Sequence, residues 1–308
     1  MSLPVIDISR VRKVYRGNVE AIRDISLQVG EGSVFGLLGP NGAGKSTLVK
    51  ILTTIIRATD CEGTMLGQPI GHKPTLKQVG YLPEHARFPS YLSGRQVIEY
   101  VAGLSGAEVS QQRIDELLAL VGMSQAGGRL LKTYSKGMVQ RIGFAQALVN
   151  DPRLIFLDEP TDGVDPEGRR AMRELLMRLR EEGRTVFINS HLLGELETVC
   201  DSLVILKEGI VVKQGSLVEL TRDTRRYEVL VTSLIPDDLA VMFREDGLAV
   251  EAKLVSVPGG DPQLVQPVLD ALRRDGMVIE EVRQVRQSLE DLFLESVSGH
   301  QKEGVGAA

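Results

Sequence analysis

The stretch Gly39-Pro40-Asn41-Gly42-Ala43-Gly44-Lys45-Ser46-Thr47 decides the fold. It follows the apolar run Val34-Phe35-Gly36-Leu37-Leu38 and leads into residues 46–56, whose apolar positions recur at helical spacing. The pattern is G-x-x-x-x-G-K-[ST] between a strand and a helix, the setting in which it carries meaning. Glycines let backbone N–H groups turn inward around phosphate oxygens, and the N-terminus of the following helix adds its dipole. Gly39, Pro40, Asn41, Gly42, Ala43 and Gly44 form the cradle. Lys45 is expected to reach the β- and γ-phosphates of a nucleotide, Ser46 to give its hydroxyl oxygen to Mg²⁺, and Thr47 to meet the α-phosphate side.

Outward from that loop, residues 5–11 and 21–29 alternate apolar and polar and read as strands, with Gly30-Glu31-Gly32 as a turn. Residues 61–69 are rich in turn formers and suggest a short hairpin. A predominantly helical stretch covers residues 96–148, interrupted at Gly127-Gly128. Residues 154–157 form a short buried strand, 169–182 an amphipathic helix and 185–189 another strand. Residues 203–207 and 210–214 read as a hairpin about Glu208-Gly209. Strands alternating with helices around a glycine loop indicate an α/β domain with a mainly parallel sheet. The helical stretch is too long for one crossover and predicts an inserted helical subdomain over about residues 85–148.

The pattern changes after residue 221. Strands are expected over 227–231, around 255–257 and over 278–285, with a helix over 263–274. This is a small α+β domain of ferredoxin-like type. Charge breaks at the same place: residues 1–221 carry a net +1 and residues 222–308 a net −6. The reading is therefore a nucleotide-binding domain over 1–221, an accessory α+β domain over 222–298, and a disordered tail over 299–308.

Composition excludes several classes. Aromatic residues make up 4% of the 308 and tryptophan is absent, which leaves no stacking platform for bases. Neither half has the basic excess of a nucleic-acid binder, so no nucleic-acid partner is expected. Cys61 and Cys200 are far apart and in no metal-ligand spacing, and read as reduced thiols. The N-terminus reaches Asp7 too soon for a signal peptide. No apolar run approaches the ~18 residues of a membrane span, so any transport must pass through another chain.

The second half of the chemistry is Leu154-Ile155-Phe156-Leu157-Asp158-Glu159. A buried strand that delivers Asp158 at its end can hold a magnesium shell. Glu159, one residue on, is placed to act as general base toward an attacking water. Taken alone, two carboxylates after an apolar strand would be a helix N-cap pair; beside the glycine loop they indicate a P-loop NTPase.

Further segments narrow this. Tyr134-Ser135-Lys136-Gly137-Met138, followed by Gln140-Arg141, resembles the signature motif of the ABC ATPase family, and it stands just upstream of Asp158 as in that family. Lys136 and Met138 replace the more usual Gly and Gln, a variant typical of the drug- and antibiotic-export branch. Ser190-His191 resembles the family's switch histidine. Thr161-Asp162-Gly163-Val164-Asp165-Pro166 resembles the loop that touches its counterpart across a dimer. Val79-Gly80-Tyr81-Leu82-Pro83-Glu84 resembles the loop whose glutamine senses Mg²⁺, here with Glu84. Tyr15 matches the adenine-stacking aromatic, although it also reads as the edge residue of a strand. Gln287-Ser288-Leu289-Glu290-Asp291-Leu292-Phe293-Leu294 resembles a segment near the end of exporter-branch ATPases.

This resemblance covers about residues 6–220. It implies a P-loop domain with a mainly parallel sheet, an antiparallel β-subdomain and an inserted helical subdomain, followed by the small α+β C-terminal domain. It implies ATP and Mg²⁺ as cofactors, with Ser46, Glu84 and Asp158 at the metal. Glu159 and His191 are implied as catalytic, and Tyr15, residues 39–47 and Ser135 to Met138 as nucleotide-binding. In the family, the signature serine and glycine N–H groups bind the γ-phosphate of ATP held by the opposing subunit, so a homodimer or heterodimer is implied. The implied partner is an integral-membrane permease, docked between Glu84 and the helical subdomain near residues 87–100. That places the chain in the cytoplasm, peripheral on the inner face of the cell membrane, where it powers export. A soluble ABC-type ATPase regulating a non-membrane partner is the alternative.

Overall fold

Residues 34–38 are buried at every position and form β3 (Val34–Leu38), the strand from which the glycine loop springs. The computed structural model describes residues 4–106, 108–222, 225–286, 289, 292 and 293. Two equally buried strands, β7 (Leu154–Asp158) and β8 (Thr185–Asn189), lie beside it. Such continuous apolar runs belong to parallel sheets covered on both faces. The central sheet adds β6 (Val79–Leu82), β9 (Ser202–Lys207) and β10 (Ile210–Ser216), in the order β10-β9-β3-β8-β7-β6. All the pairings from β9 through β6 are parallel.

Register is pinned by aromatic packing. Phe35, Phe187 and Phe156 stand opposite one another on β3, β8 and β7, with ring centroids 5.3 and 5.2 Å apart. Aligned in this way, the strands release their C-terminal residues along one edge, where Asp158 lies opposite Asn189. That edge is where ligands gather in open α/β sheets.

A second sheet is antiparallel where its pairings are defined: β1 (Ile6–Tyr15), β2 (Val19–Val29), β4 (Asp60–Met65) and β5 (Gln68–Pro69), ordered β2-β1-β4-β5. It shares one core with the central sheet, including Ile6, Ile22, Leu27, Leu37, Leu48 and Phe187. The helix after the glycine loop, α1 (Lys45–Leu52), is shorter than the 46–56 periodicity suggests. Thr54 adopts φ 60°, and the Thr54 and Ile55 N–H groups turn back to the Ile51 and Lys50 carbonyls. This left-handed C-terminal closure ends the helix.

The expected helical insertion resolves into α2 (Gly94–Ser105), α3 (Gln111–Leu120) and α4 (Lys136–Ala147). Ser93 and Gln96 form a reciprocal capping box at the start of α2. Two more helices, α5 (Pro166–Glu181) and α6 (Leu193–Val199), follow β7 and β8. Residues 79–82, expected as part of a loop, are instead the edge strand β6. Four residues are too few to show a period, so their pairing with β7 had no local signal.

The chain divides between Gly215 and Ser216 into two compact units, a few residues before the expected boundary. The second unit opens with α7 (Leu217–Arg222) and continues as β11 (Arg225–Val231), α8 (Asp237–Glu245), β12 (Ala249–Glu251), β13 (Leu254–Pro258), α9 (Pro262–Arg274) and β14 (Ile279–Arg286). Its strand order β12-β13-β11-β14, antiparallel throughout, is the ferredoxin-like arrangement. Val229, Val231, Phe243, Val255, Val257 and Leu272 are its core. Helix α8 is absent from the sequence expectation, although Leu239, Ala240 and Phe243 have helical spacing and Asp237 and Asp238 favour a helix start. The expected tail over 299–308, and most of residues 287–294, lie outside the described residues.

Candidate functional site

The glycine loop is shaped by steric necessity at two positions. At Gly39 a Cβ would lie 2.4 Å from the Leu206 carbonyl oxygen, and at Gly44 (φ 101°) 2.5 Å from that of Ala21. Only glycine fits either place. Gly44 caps α1, so the first N–H groups of the helix point into the loop without intrahelical partners. Lys45 is 8% exposed, and its Nζ donates to the carbonyls of Gly39 at 2.7 Å and Pro40 at 3.2 Å. Burial lowers the Lys45 pKa, opposed by the charges of Glu159, Asp158 and Glu84. Ser46 and Thr47 are half-buried beside it.

Tyr15, the last residue of β1, reaches the same loop: its hydroxyl lies 3.4 Å from Thr47 Oγ1. The ring is 40% exposed, and Lys13 Nζ sits 5.0 Å from its centroid, within cation–π range. One description does not exclude the other here, since Tyr15 is both a strand end and a neighbour of the loop.

Asp158 ends β7 and is buried, with Oδ1 accepting from Asn189 Nδ2. Burial raises its pKa, helped by Glu84 and Glu159 and opposed by the Asn189 hydrogen bond and Lys50. Burial, with Asp158 and Glu84, also pushes the Tyr81 phenol up to about 12. Among the described residues no three acidic, histidine or cysteine side chains group closely enough to hold a metal by themselves. Asp158 and Glu159 follow one another at this strand end, and Asn189 Oδ1 is a buried oxygen with no hydrogen-bond partner among the described residues. A hard, oxygen-seeking cation such as Mg²⁺ suits that donor set. Asn189 was missed from sequence; a polar residue closing the apolar run 186–188 was the available signal.

Glu159 adopts φ 50°, a left-handed conformation that costs a non-glycine residue energy and needs support from its surroundings. Its N–H donates to the Asn189 carbonyl at 2.8 Å, and Gln140 Nε2 approaches its own carbonyl at 3.5 Å. Its Oε2 accepts from the His191 N–H at 3.3 Å and meets His191 Nδ1 at 2.7 Å. Glu84 stands exposed beyond β6, 3.7 Å from His85 Nε2.

Ser135 caps α4, accepting from the Met138 N–H at 3.2 Å. The signature residues are anchored to the segment after Glu159. Lys136 Nζ donates to Asp162 Oδ2 at 2.7 Å, its stem crosses Gly163, and Gly137 faces Val164. Ser135 and Lys136 are exposed, while Gly137 and Met138 are half-buried. Asp165 caps α5 through the Gly168 N–H at 2.8 Å.

A family model described as ABC transporter matches residues 22–162. An ABC transporter ATP-binding protein of Synechocystis sp. is 41% identical over 301 residues, covering 94% of this chain and 84% of the relative. The chain belongs to the ABC transporter ATP-binding proteins. The bacitracin transport ATP-binding protein BcrA of Enterococcus faecalis is 31% identical over 303 residues, covering 96% of this ABC ATPase and 97% of its own length. The daunorubicin resistance ATP-binding protein DrrA3 of Streptomyces coeruleorubidus is 32% identical, with 96% of each chain covered. Among solved structures, cbiO1 of Clostridium perfringens, part of the ABC transporter complex cbiONQ, superposes with a TM-score of 0.64 at 26% identity. That match covers 72% of this chain and 92% of cbiO1.

This ABC ATPase is therefore an ATP-binding, ATP-hydrolysing transporter subunit. Such subunits work with membrane permease components, and among the described residues no helix is long and apolar enough to cross a membrane.

Proposed function

We propose that two copies of this subunit, or one copy and a similar subunit, close around two ATP molecules and so drive export through a separate permease. The contact of Glu159 with His191, one and two residues past the buried Asp158–Asn189 pair, carries this reading. Lys45 and the residue 39–47 loop hold the β- and γ-phosphates, and Tyr15 offers its ring to adenine. Ser46, Asp158 and Glu84 hold Mg²⁺, which when bound neutralises charge developing on the phosphate oxygens. Glu159 takes the proton of the attacking water while His191 fixes its carboxylate and meets the γ-phosphate. Ser135, Lys136, Gly137 and Met138, at an exposed helix N-terminus, complete the site of the opposing chain.

Export is supported by the relatives named for bacitracin transport and daunorubicin resistance. Tyr91 and Tyr100, both exposed, suit contact with a permease loop on the inner membrane face. The deciding experiment is Glu159→Gln. It should keep ATP binding, slow hydrolysis by roughly 10² or more, and accumulate an ATP-dependent dimer in size-exclusion chromatography. Normal turnover in that variant would sink the reading.

A further inference from the structure

We infer that Glu195 is a positioning residue for ATP hydrolysis: its carboxylate, bound to the Thr161 hydroxyl, locks the segment carrying Glu159 to the segment carrying His191. The inference rests on the roles proposed above for those two residues.

Strands β7 and β8 are paired up to Asp158 and Asn189, and one further backbone bond joins Glu159 to Asn189. Past that point the sheet no longer holds the two chains together. Glu159 is then in a left-handed conformation, followed by Pro160 and a loop to Asp165. Among the described residues, two hydrogen bonds between side chains cross the gap. One is Glu159 with His191, whose side chain is 54% exposed. The other is Thr161 Oγ1 donating to Glu195 Oε2 at 2.6 Å, where Thr161 is 4% and the Glu195 side chain 17% exposed. A contact shielded from water keeps more of its strength than a half-exposed one. The Thr161–Glu195 bond is thus the firmer of the two.

Glu195 reaches further than Thr161. Its Oε1 is buried and has no hydrogen bond among the described residues, although Arg169 Nε stands 3.6 Å away. Arg169 Nε instead donates to the Val164 carbonyl at 3.1 Å, in the same loop. Glu195 therefore faces both the start of the loop and the arginine that grips its middle. A carboxylate with one under-satisfied oxygen is a costly choice for mere packing at such a site. The cavity lined by Thr161, Arg169, Ile188 and Glu195 has room for about one water.

Glu195 lies four residues beyond His191, in the first turn of α6, and acts through the backbone on either side rather than on nucleotide. Loss of the clamp lets the Glu159 carboxylate wander relative to the water, while the phosphate loop is untouched. Misplacement of this kind lowers turnover rather than binding.

The test compares Thr161→Val, Thr161→Ser, Glu195→Gln and Glu159→Gln in the full-length chain, measuring kcat, ATP affinity and Tm. Thr161→Val, nearly isosteric, should lower kcat about tenfold with ATP affinity held. It should also lower Tm, because the Glu195 carboxylate is left with neither oxygen hydrogen-bonded. Thr161→Ser, which keeps the hydroxyl, should recover most of the kcat loss. Glu195→Gln keeps an acceptor for the Thr161 hydroxyl and should lower kcat less. The Thr161→Val/Glu195→Gln double variant should fall no further than Thr161→Val, since without the hydroxyl residue 195 has no bond to it left to lose. Losses that multiply, a kcat loss matched by lost ATP affinity, or wild-type kcat in Thr161→Val while Glu159→Gln is inactive would each overturn the inference. Wild-type turnover in Glu159→Gln would instead remove the reading beneath it.

Discussion

Glu159 Oε2 lies 2.7 Å from His191 Nδ1 and also accepts from the His191 backbone N–H, across 32 residues of chain. The two meet because β7 and β8 are neighbours in register and end together, with Asp158 opposite Asn189. The strand ends, rather than any local motif, bring a candidate base and a candidate switch residue into contact.

Lys45 already spans the glycine loop through the carbonyls of Gly39 and Pro40, so its ammonium is in place before phosphate arrives. Lys45→Met should weaken ATP binding by about tenfold or more, the scale of one charged hydrogen bond. Lys45→Arg should not restore it, because a planar fork cannot replace a point charge in this loop. Calorimetric titration with ATP is the measurement, and unchanged affinity in Lys45→Met would refute the assignment.

Asp158 has a pKa raised by burial and by its acidic neighbours. Its charged form therefore works against the fold above the carboxylate range, and that penalty disappears as pH falls below the unfolded value. Asp158→Asn should raise Tm by a few degrees at neutral pH, show no such gain in acid, and abolish Mg²⁺-dependent hydrolysis. Thermal melts at neutral and acid pH decide it.

The Lys136 hydrogen bond holds the Asp162 carboxyl below its ordinary value, against a smaller effect of burial. The pair's contribution is thus present at neutral pH and lost as pH falls through the lowered value. Lys136→Ala should move the Asp162 titration upward in carboxyl-resolved NMR. Both side chains are largely exposed, so stability should change by no more than about 1 kcal/mol. An unmoved titration would mean the clasp does not persist in solution.

In the C-terminal unit, Glu228 accepts from Arg226 Nε and Nη2 through one oxygen and from Arg283 Nε and Nη2 through the other. Burial works against its charge, but the two guanidiniums outweigh it and lower the pKa. Glu228→Gln should cost about 2 kcal/mol at neutral pH, and the difference from wild type should shrink as pH falls through the lowered pKa. Denaturant titration at two pH values tests this; an equal deficit at both would point to packing instead.

Much of this was legible from residue types in order. The glycine loop, the strand ending on Asp158 and Glu159, and Ser135 at a helix start all appear where local chemistry put them. In the C-terminal unit β11, β13, β14 and α9 were also visible in their apolar spacing, whereas β12 and α8 were not. Residues 79–82 were not, since four residues cannot distinguish an edge strand from a loop. Asn189 and Glu195 also escaped notice, and Thr161 was read only as the start of the loop that touches its counterpart, because each matters here through a partner remote in sequence.

Local sequence, then, determined that a glycine loop joins strand to helix, because such a loop needs only neighbouring residues to form. Tertiary structure alone decided which carboxylate meets which histidine. The strand order β10-β9-β3-β8-β7-β6 sets strands side by side that are far apart in the chain. Parallel pairing runs through long crossovers, and no residue in a crossover records which strand its end will lie against.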